Sequence, residues 1–238
     1  MRLMPLMTSA LVLAMSGTSF AQEWTEFSSR EDHFTIAFPG QPKVTETTWT
    51  SQFSAILPAR VYSGTQGPGR YSVTVVDYNP IERLLSERSR TLPALDLAIH
   101  VYGLGYWKTD VRSAVVYAAS KYLARDAKIT NIMSNFADLV AGLLVELTNN
   151  ADQSRTFASI YMHENRLVIL EATVPKGYPP PTIFQQSLGW LDENGVGLRY
   201  QTYYSNGNPV PPRVNRGGRG QGQGRIDAPG ANVNPGKQ

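Results

Sequence analysis

The stretch "TIFQQSLGWLDENG" occupies residues 182–195, and whether it is helical decides how much helical cover the rest of the chain has. Ile183, Phe184, Ser187, Leu188 and Leu191 recur at helical spacing. Thr182 stands where an N-cap belongs, after the Pro179–Pro181 run, and Gly195 is a stop signal. The pattern predicts a helix over 182–193. Upstream, "RTFASIYM" (155–162) and "RLVILEATV" (166–174) read as strands joined tightly through His163-Glu164-Asn165, with Asn165 suited to a left-handed turn position. Two further strands precede them, at 128–134 and 138–148.

The first part of the body also reads as strands. "FTIAF" (34–38) alternates Phe34, Ile36 and Phe38 on one face and ends at Pro39-Gly40. "KVTETTWTS" (43–51) is polar and Thr-rich, as an edge strand is. "ARVYS" (59–63) and "RYSVTVVDY" (70–78) flank a Gly/Pro loop at 64–69 as a hairpin. Helices lie between the two strand sets. Asn79-Pro80 with Glu82 makes an N-terminus before Ile81, Leu84 and Leu85. A second helical stretch covers 94–102, before Gly103. A third starts at Asp110, with Val111, Ala114, Val115, Ala118 and Tyr122 on one face and Arg112, Lys121 and Arg125 opposite. Strands, helices, strands, helix predict an α+β fold with a mainly antiparallel sheet covered by helices.

The chain of 238 residues is 42% hydrophobic and 17% charged, enough for one domain with a sizeable core plus appendages. It opens with a secretory pattern: Arg2, an apolar stretch from Leu6 to Met15, and Ser19-Phe20-Ala21 before Gln22. That stretch falls well short of the ~20 residues of a spanning helix. The expectation is a signal peptide at 1–21 and a periplasmic or extracellular protein with no transmembrane segment. The absence of cysteine excludes disulfides, thiol catalysis, thiolate ligation and a lipid attached to a cysteine after the signal.

Composition changes near Gly195. Residues 22–195 hold 15 Lys/Arg and 18 Asp/Glu; residues 196–238 hold 6 Lys/Arg, one Asp, nine glycines and five prolines. The expectation is a domain at 22–195 and a disordered basic Gly/Pro/Arg-rich tail at 196–238. Arg213, Arg216, Arg219 and Arg225 are its candidate contacts. Export removes nucleic acid as a partner and leaves an anionic envelope polymer or an envelope protein surface.

Three segments together resemble PsbP-like domains: "HFTIAFPGQP", "SRTFASIYMHENRLVILEATVP" and "IFQQSLGWLDENG", in that order. The resemblance covers about residues 24–195. It implies an α/β/α sandwich around an antiparallel sheet and a protein that binds macromolecules without catalysis. It assigns no residue a role.

Signatures of chemistry are sparse. There is no H-E-x-x-H, no G-x-S-x-G and no S-x-x-K. The glycines in "GTQGPG" lack the Lys-Ser/Thr of a phosphate loop, and Gly103 and Gly105 lack the context of a dinucleotide site. His100 reads as a packed histidine, His163 as an exposed hairpin residue, and Glu31-Asp32-His33 as a solvated turn. No catalytic residue, metal site or cofactor is expected. Glu146 and Glu171 are the one carboxylate pair worth testing for a shared cleft, the arrangement a glycan hydrolase needs; Arg155 and Arg166 are the nearby cations. Tyr106 and Trp107, expected in a loop, are the aromatic candidates for a contact surface. The functional expectation is an exported, non-enzymatic envelope accessory protein. The alternative is a small-ligand binder or envelope hydrolase with an unrecognised site.

Overall fold

The computed structural model describes residues 23–91, 106–205 and 213–216. Among the described residues, twelve strands and three helices follow one another. They are β1 (Trp24–Ser29), β2 (Phe34–Pro39), β3 (Lys43–Thr50), β4 (Ile56–Gln66), β5 (Gly69–Asp77), α1 (Ile81–Thr91), α2 (Tyr106–Leu123), β6 (Ala127–Ala137), β7 (Val140–Asn149), β8 (Arg155–His163), β9 (Arg166–Val174), α3 (Thr182–Gln186), β10 (Gly189–Leu191), β11 (Gly197–Tyr200) and β12 (Arg213–Arg216). They form two antiparallel sheets. The large one runs β3-β4-β5-β9-β8-β7-β6 and the small one β1-β2-β10-β11-β12.

Two cores lie on opposite faces of the large sheet. On one face Leu57, Val76, Val145, Ile160 and Ile169 meet Ile81 and Leu85 of α1 and Val111, Ala114 and Ala118 of α2. On the other, Val73, Val168, Leu170 and Ala172 meet Phe34, Ile36 and Phe38 of β2, Trp190 of β10 and Leu198 of β11. β8 and β9 are central and buried on both sides, which is why they read as near-continuous apolar runs rather than alternating ones. Their hairpin turns on Glu164 and Asn165, both at positive φ (47° and 56°), as a two-residue primed turn requires.

The expected helix-covered α/β/α sandwich is corrected. Helices α1 and α2 cover one face of the large sheet; the second face is covered by another antiparallel sheet, with only the five-residue α3 beside it, so the layers are β, β and α. The segment at 182–193 is where the expectation fails. Its helix stops after five residues. The Ser187 hydroxyl donates to Phe184 O (3.1 Å) and accepts Ala37 N–H from β2 (2.9 Å), which turns the chain toward β2. Gly189, a poor helix former, follows, and Trp190 pairs in the ladder with Phe34 while its indole donates to Ala137 O at 2.8 Å. Tertiary pairing thus overrides a helical spacing of only four apolar positions and Ser187.

The proposed boundary at 195 runs through the small sheet, because β11 and β12 supply two of its strands from beyond it. The signal segment 1–21, the stretch 94–102 with His100, and Arg219 and Arg225 lie outside the described residues. Among the described residues no helix is long and apolar enough to cross a membrane.

Candidate functional site

Three depressions can be built up from their residues. The first lies beside the β1–β2 turn, has a volume of about 370 Å³, and is walled by Glu31, Asp32, Glu46, Asp77, Arg60 and Arg166. Arg60, on β4, donates to Asp32 Oδ1 at 2.8 Å, contacts Glu31 and lies 3.8 Å from Glu46. Asp32 is buried and also accepts the Tyr62 hydroxyl at 2.5 Å; Ser29 Oγ stands 2.9 Å from that hydroxyl. Burial first, then the bond to Asp32, pushes the Tyr62 pKa up to about 12. The Glu31-Asp32-His33 triplet therefore divides: two carboxylates go to Arg60 and His33 to Glu164 at 3.2 Å. This is a closed ionic network that ties the small sheet to the large one.

The second depression, about 470 Å³, opens between the outer strands of the large sheet and the 180–188 segment. Its floor is polar. Asn135 Nδ2 donates to Tyr161 Oη at 2.8 Å and to Ser159 Oγ at 3.3 Å; Ser159 Oγ also donates to Gln185, and Gln185 Nε2 donates to Phe157 O at 3.1 Å. Glu146, half-buried, Leu144, Phe157 and Phe136 complete it. The third, about 550 Å³, is lined by Trp24, the Gln66–Gly69 turn, Tyr71, Val174 and Tyr178. Trp24 meets Tyr71 edge-on at 5.0 Å. The two share Pro180, Pro181 and Thr182 as a common wall, so they lie on either side of one proline ridge. Arg155 donates to Tyr178 O and fixes the start of that ridge to β8.

Glu146 and Glu171 do not share a cleft. Glu146 stands opposite Phe157, which is opposite Ala172 in the core between the sheets; Glu171 stands opposite Ala158, which is opposite Val145 in the helix-side core. With a side-chain period of two, the carboxylates project from opposite faces. Glu171 is held by both Arg125 guanidinium nitrogens (2.9 and 3.0 Å) and by Tyr122 Oη (2.7 Å). Burial opposes its charge, but Arg125 and the Tyr122 hydroxyl outweigh burial and lower its pKa. The partners are Tyr122 in the last turn of α2 and Arg125 just beyond its end, not Arg155 or Arg166.

The remaining sequence candidates are placed as follows. Tyr106 and Trp107 open α2 rather than occupying a loop. Both are half-buried; Tyr106 packs edge-on against Phe53 at 4.7 Å, and Trp107 rests on the helix-side core. His163 is not exposed: it is buried, stacks on Trp190 at 4.4 Å and stands 2.6 Å from Tyr200 Oη. Arg213 and Arg216 are the end residues of β12. Sequence reasoning missed Trp24, Tyr178 and Asn135. The triple proline was the available signal for the first two, as a rigid exposed wall; Asn135 lies in a strand pattern with nothing to mark it.

No family model matches this chain, and no curated protein does. Among solved structures the chain is similar to cyanobacterial PsbP from Synechocystis, at 12% identity and a TM-score of 0.36, covering 69% of this chain and 87% of that one. No fold, family or role is carried across from it.

Proposed function

We propose that this chain is an exported, non-catalytic accessory protein of the cell envelope that binds an extended segment of a partner protein along the proline ridge. The observation that carries the reading is the pair of depressions sharing Pro180–Thr182, with Trp24, Tyr71 and Tyr178 on one side and Phe136 and Phe157 over a polar floor on the other. Prolines have almost no side-chain freedom to lose on binding, and tyrosine and tryptophan give large contact area at low entropic cost. An open, two-sided ridge suits a chain laid across it better than a compact ligand enclosed by it.

The test is a photo-crosslinker placed at Tyr178, with Val44 on β3 as a remote exposed control, in cells carrying the full chain. One defined envelope protein crosslinked from 178 and not from 44, and lost when Trp24→Ala is added, supports the reading. Equal adducts from both positions, or none from 178, overturns it.

The polar floor favours a second reading, a small polar ligand held by Asn135, Glu146 and Gln185. In that case Glu146→Gln weakens ligand binding and Trp24→Ala leaves it unchanged.

A further inference from the structure

The large sheet ends in two edges of different character. At one end β3 is exposed along almost its whole length, and apart from Val44 what it exposes is polar: Lys43, Glu46 and a run of threonines. Such an edge resists strand addition, since charges and threonines would have to be desolvated by an incoming chain. At the other end is β6, eleven residues long, with no further strand beyond it in the sheet among the described residues. It exposes Ile129, Ile132, Met133 and Phe136, each between 42% and 51%. Ile132 pairs with Val145, so its side chain shares the helix side of the sheet. α2 packs chiefly on β7 and β8, and on β6 the Phe136 ring meets the exposed Tyr203 at 5.0 Å. Val116 and Leu123, on the same helix, are exposed as well.

A long, apolar, unprotected edge is a template for another strand. We propose that it is occupied by β6 of a second copy of this chain, antiparallel across a two-fold axis. The charge pattern favours this occupant. Lys128 is the only charged residue in "AKITNIMSNFA". The register with β7 is unbroken from Asn131 to Ala137, after a shift between Ile129 and Asn131. An axis at Ser134, the midpoint of that run, places Ile132 of one copy opposite Phe136 of the other, twice. It separates the two Lys128 side chains by roughly 40 Å at ~3.3 Å per residue, beyond the ~10 Å over which exposed charges act. The small Ser134 side chains meet at the axis without a clash. Pairing of β6 with β3 of another copy would oppose Glu46 and Lys43 to apolar side chains, and being head-to-tail it would give a ring or an open filament rather than a two-fold dimer. The chain's own end is a poor occupant: in residues 217–238 only Ile226 and Val233 are large and apolar.

Phe136 borders the groove assigned above to a partner protein as well, but Ile132 and Ser134, the positions substituted in the test, do not, so the two surfaces can fail independently. The test is the mass in solution by light scattering of the purified chain, together with Ile132→Lys and, as a control on the other edge, Val44→Lys. The expected result is twice the chain mass for the wild type and for Val44→Lys, with dimerisation weakened on the order of 100-fold in Ile132→Lys and an unchanged melt. Because the chain has no cysteine, Ser134→Cys gives an independent readout. A residue on the axis faces its own copy at a Cα separation of about 5.5 Å, within disulfide reach. That variant oxidises to a covalent dimer and Val44→Cys does not. A monomeric wild type, a dimer that survives Ile132→Lys, or no covalent dimer from Ser134→Cys overturns the proposal. If Ile132→Lys fails to fold, the wild-type mass and the cysteine pair decide it.

Discussion

The two faces of the large sheet carry the same kind of side chain to different ends. On the helix face Glu171 is closed in: Tyr122 of α2 and Arg125, just past its end, take both of its oxygens. On the opposite face Glu146, two strands away, lines an open depression. The difference follows from what covers each face. An eighteen-residue helix lies along the sheet and brings a cation and a hydroxyl with it. The small sheet covers the middle of the other face and meets β6 and β7 only at their turn, where Trp190 donates to Ala137 O; along the rest of those strands the short α3 and the proline ridge face them across the groove. A face closed by a long helix buries its charges in pairs. A face closed by a narrower sheet leaves a groove.

The harshest way to break this contrast is to disturb the strand that floors the groove. Gly142 on β7 stands opposite Tyr161, and a Cβ there would collide with the Tyr161 ring and with Ile160 O. Tyr161 crosses this gap to reach Asn135 on β6. Gly142→Ala must displace either the ring or the backbone, and a loss of about 3 kcal/mol is expected from overpacking. Urea denaturation at neutral pH measures it. A loss below about 1 kcal/mol would show that the ring can move aside and that the floor of the groove is not rigid.

A smaller effect separates the two carboxylates themselves. Glu171→Ala leaves the deeply placed Tyr122 hydroxyl and Arg125 without their acceptor. Arg125 is 39% exposed, so the loss is discounted to about 1–2 kcal/mol. The pH dependence has a definite sign. The folded pKa of Glu171 lies below its unfolded value, so its contribution is present above the unfolded carboxylate range and is lost as pH falls through the folded pKa. Glu171→Ala should therefore flatten the acid limb of the stability curve. An unchanged acid limb would mean that the Arg125 pair contributes nothing net.

How much of this was legible in the sequence depended on whether the information was local. β9 was read to the residue, and β8 to within one, because a doubly buried strand carries its signal in its own composition. The polar edge β3 was read from its threonines. The small sheet was not legible. β1, β10, β11 and β12 are short, and "GWL" has no period of its own; Trp190 is extended because Phe34 and Ala137 hold it so. The β6–β7 turn was read as strand because Leu139 gives no turn signal, yet it sits at φ 67°. Tyr204 compensates there by donating its N–H to Leu139 O and accepting Ala141 N–H, both at 2.9 Å. The site was split in the same way. The prolines of the ridge were visible; its assembly with Trp24, more than 150 positions away, was not. The sides taken by Glu146 and Glu171 needed the register, which no single strand contains.

Asp110 extends the contrast to a charge on the helix face without a cation. It is buried in the first turns of α2 and accepts the Ser51 hydroxyl at 2.5 Å. Burial outweighs that bond and the backbone N–H groups of Gln52 and Phe53, so its pKa is raised. The sign is opposite to that of Glu171: stability from this group is full below the unfolded carboxylate pKa and is lost as pH rises through the higher folded one. Asp110→Asn removes the charge and keeps an acceptor for Ser51. At neutral pH it should change stability by less than about 1 kcal/mol, with less gain on mild acidification than the wild type shows. A steeper acid gain in the variant would contradict the assignment.

Glu146→Gln is the mildest change and the one that sharpens the contrast most. The carboxylate lines an open groove, and the substitution preserves its shape while removing its charge. Surface substitutions of this kind stay within about 0.5 kcal/mol. Glu171→Gln, on the other face, should cost more than that because it weakens a bidentate pair with Arg125. If thermal denaturation places the two glutamine variants together, the faces do not differ in how they hold charge. If Glu146→Gln is silent in stability but alters what crosslinks at Tyr178, the open face is the one that recognises a partner, and the helix-covered face is the one that supports it.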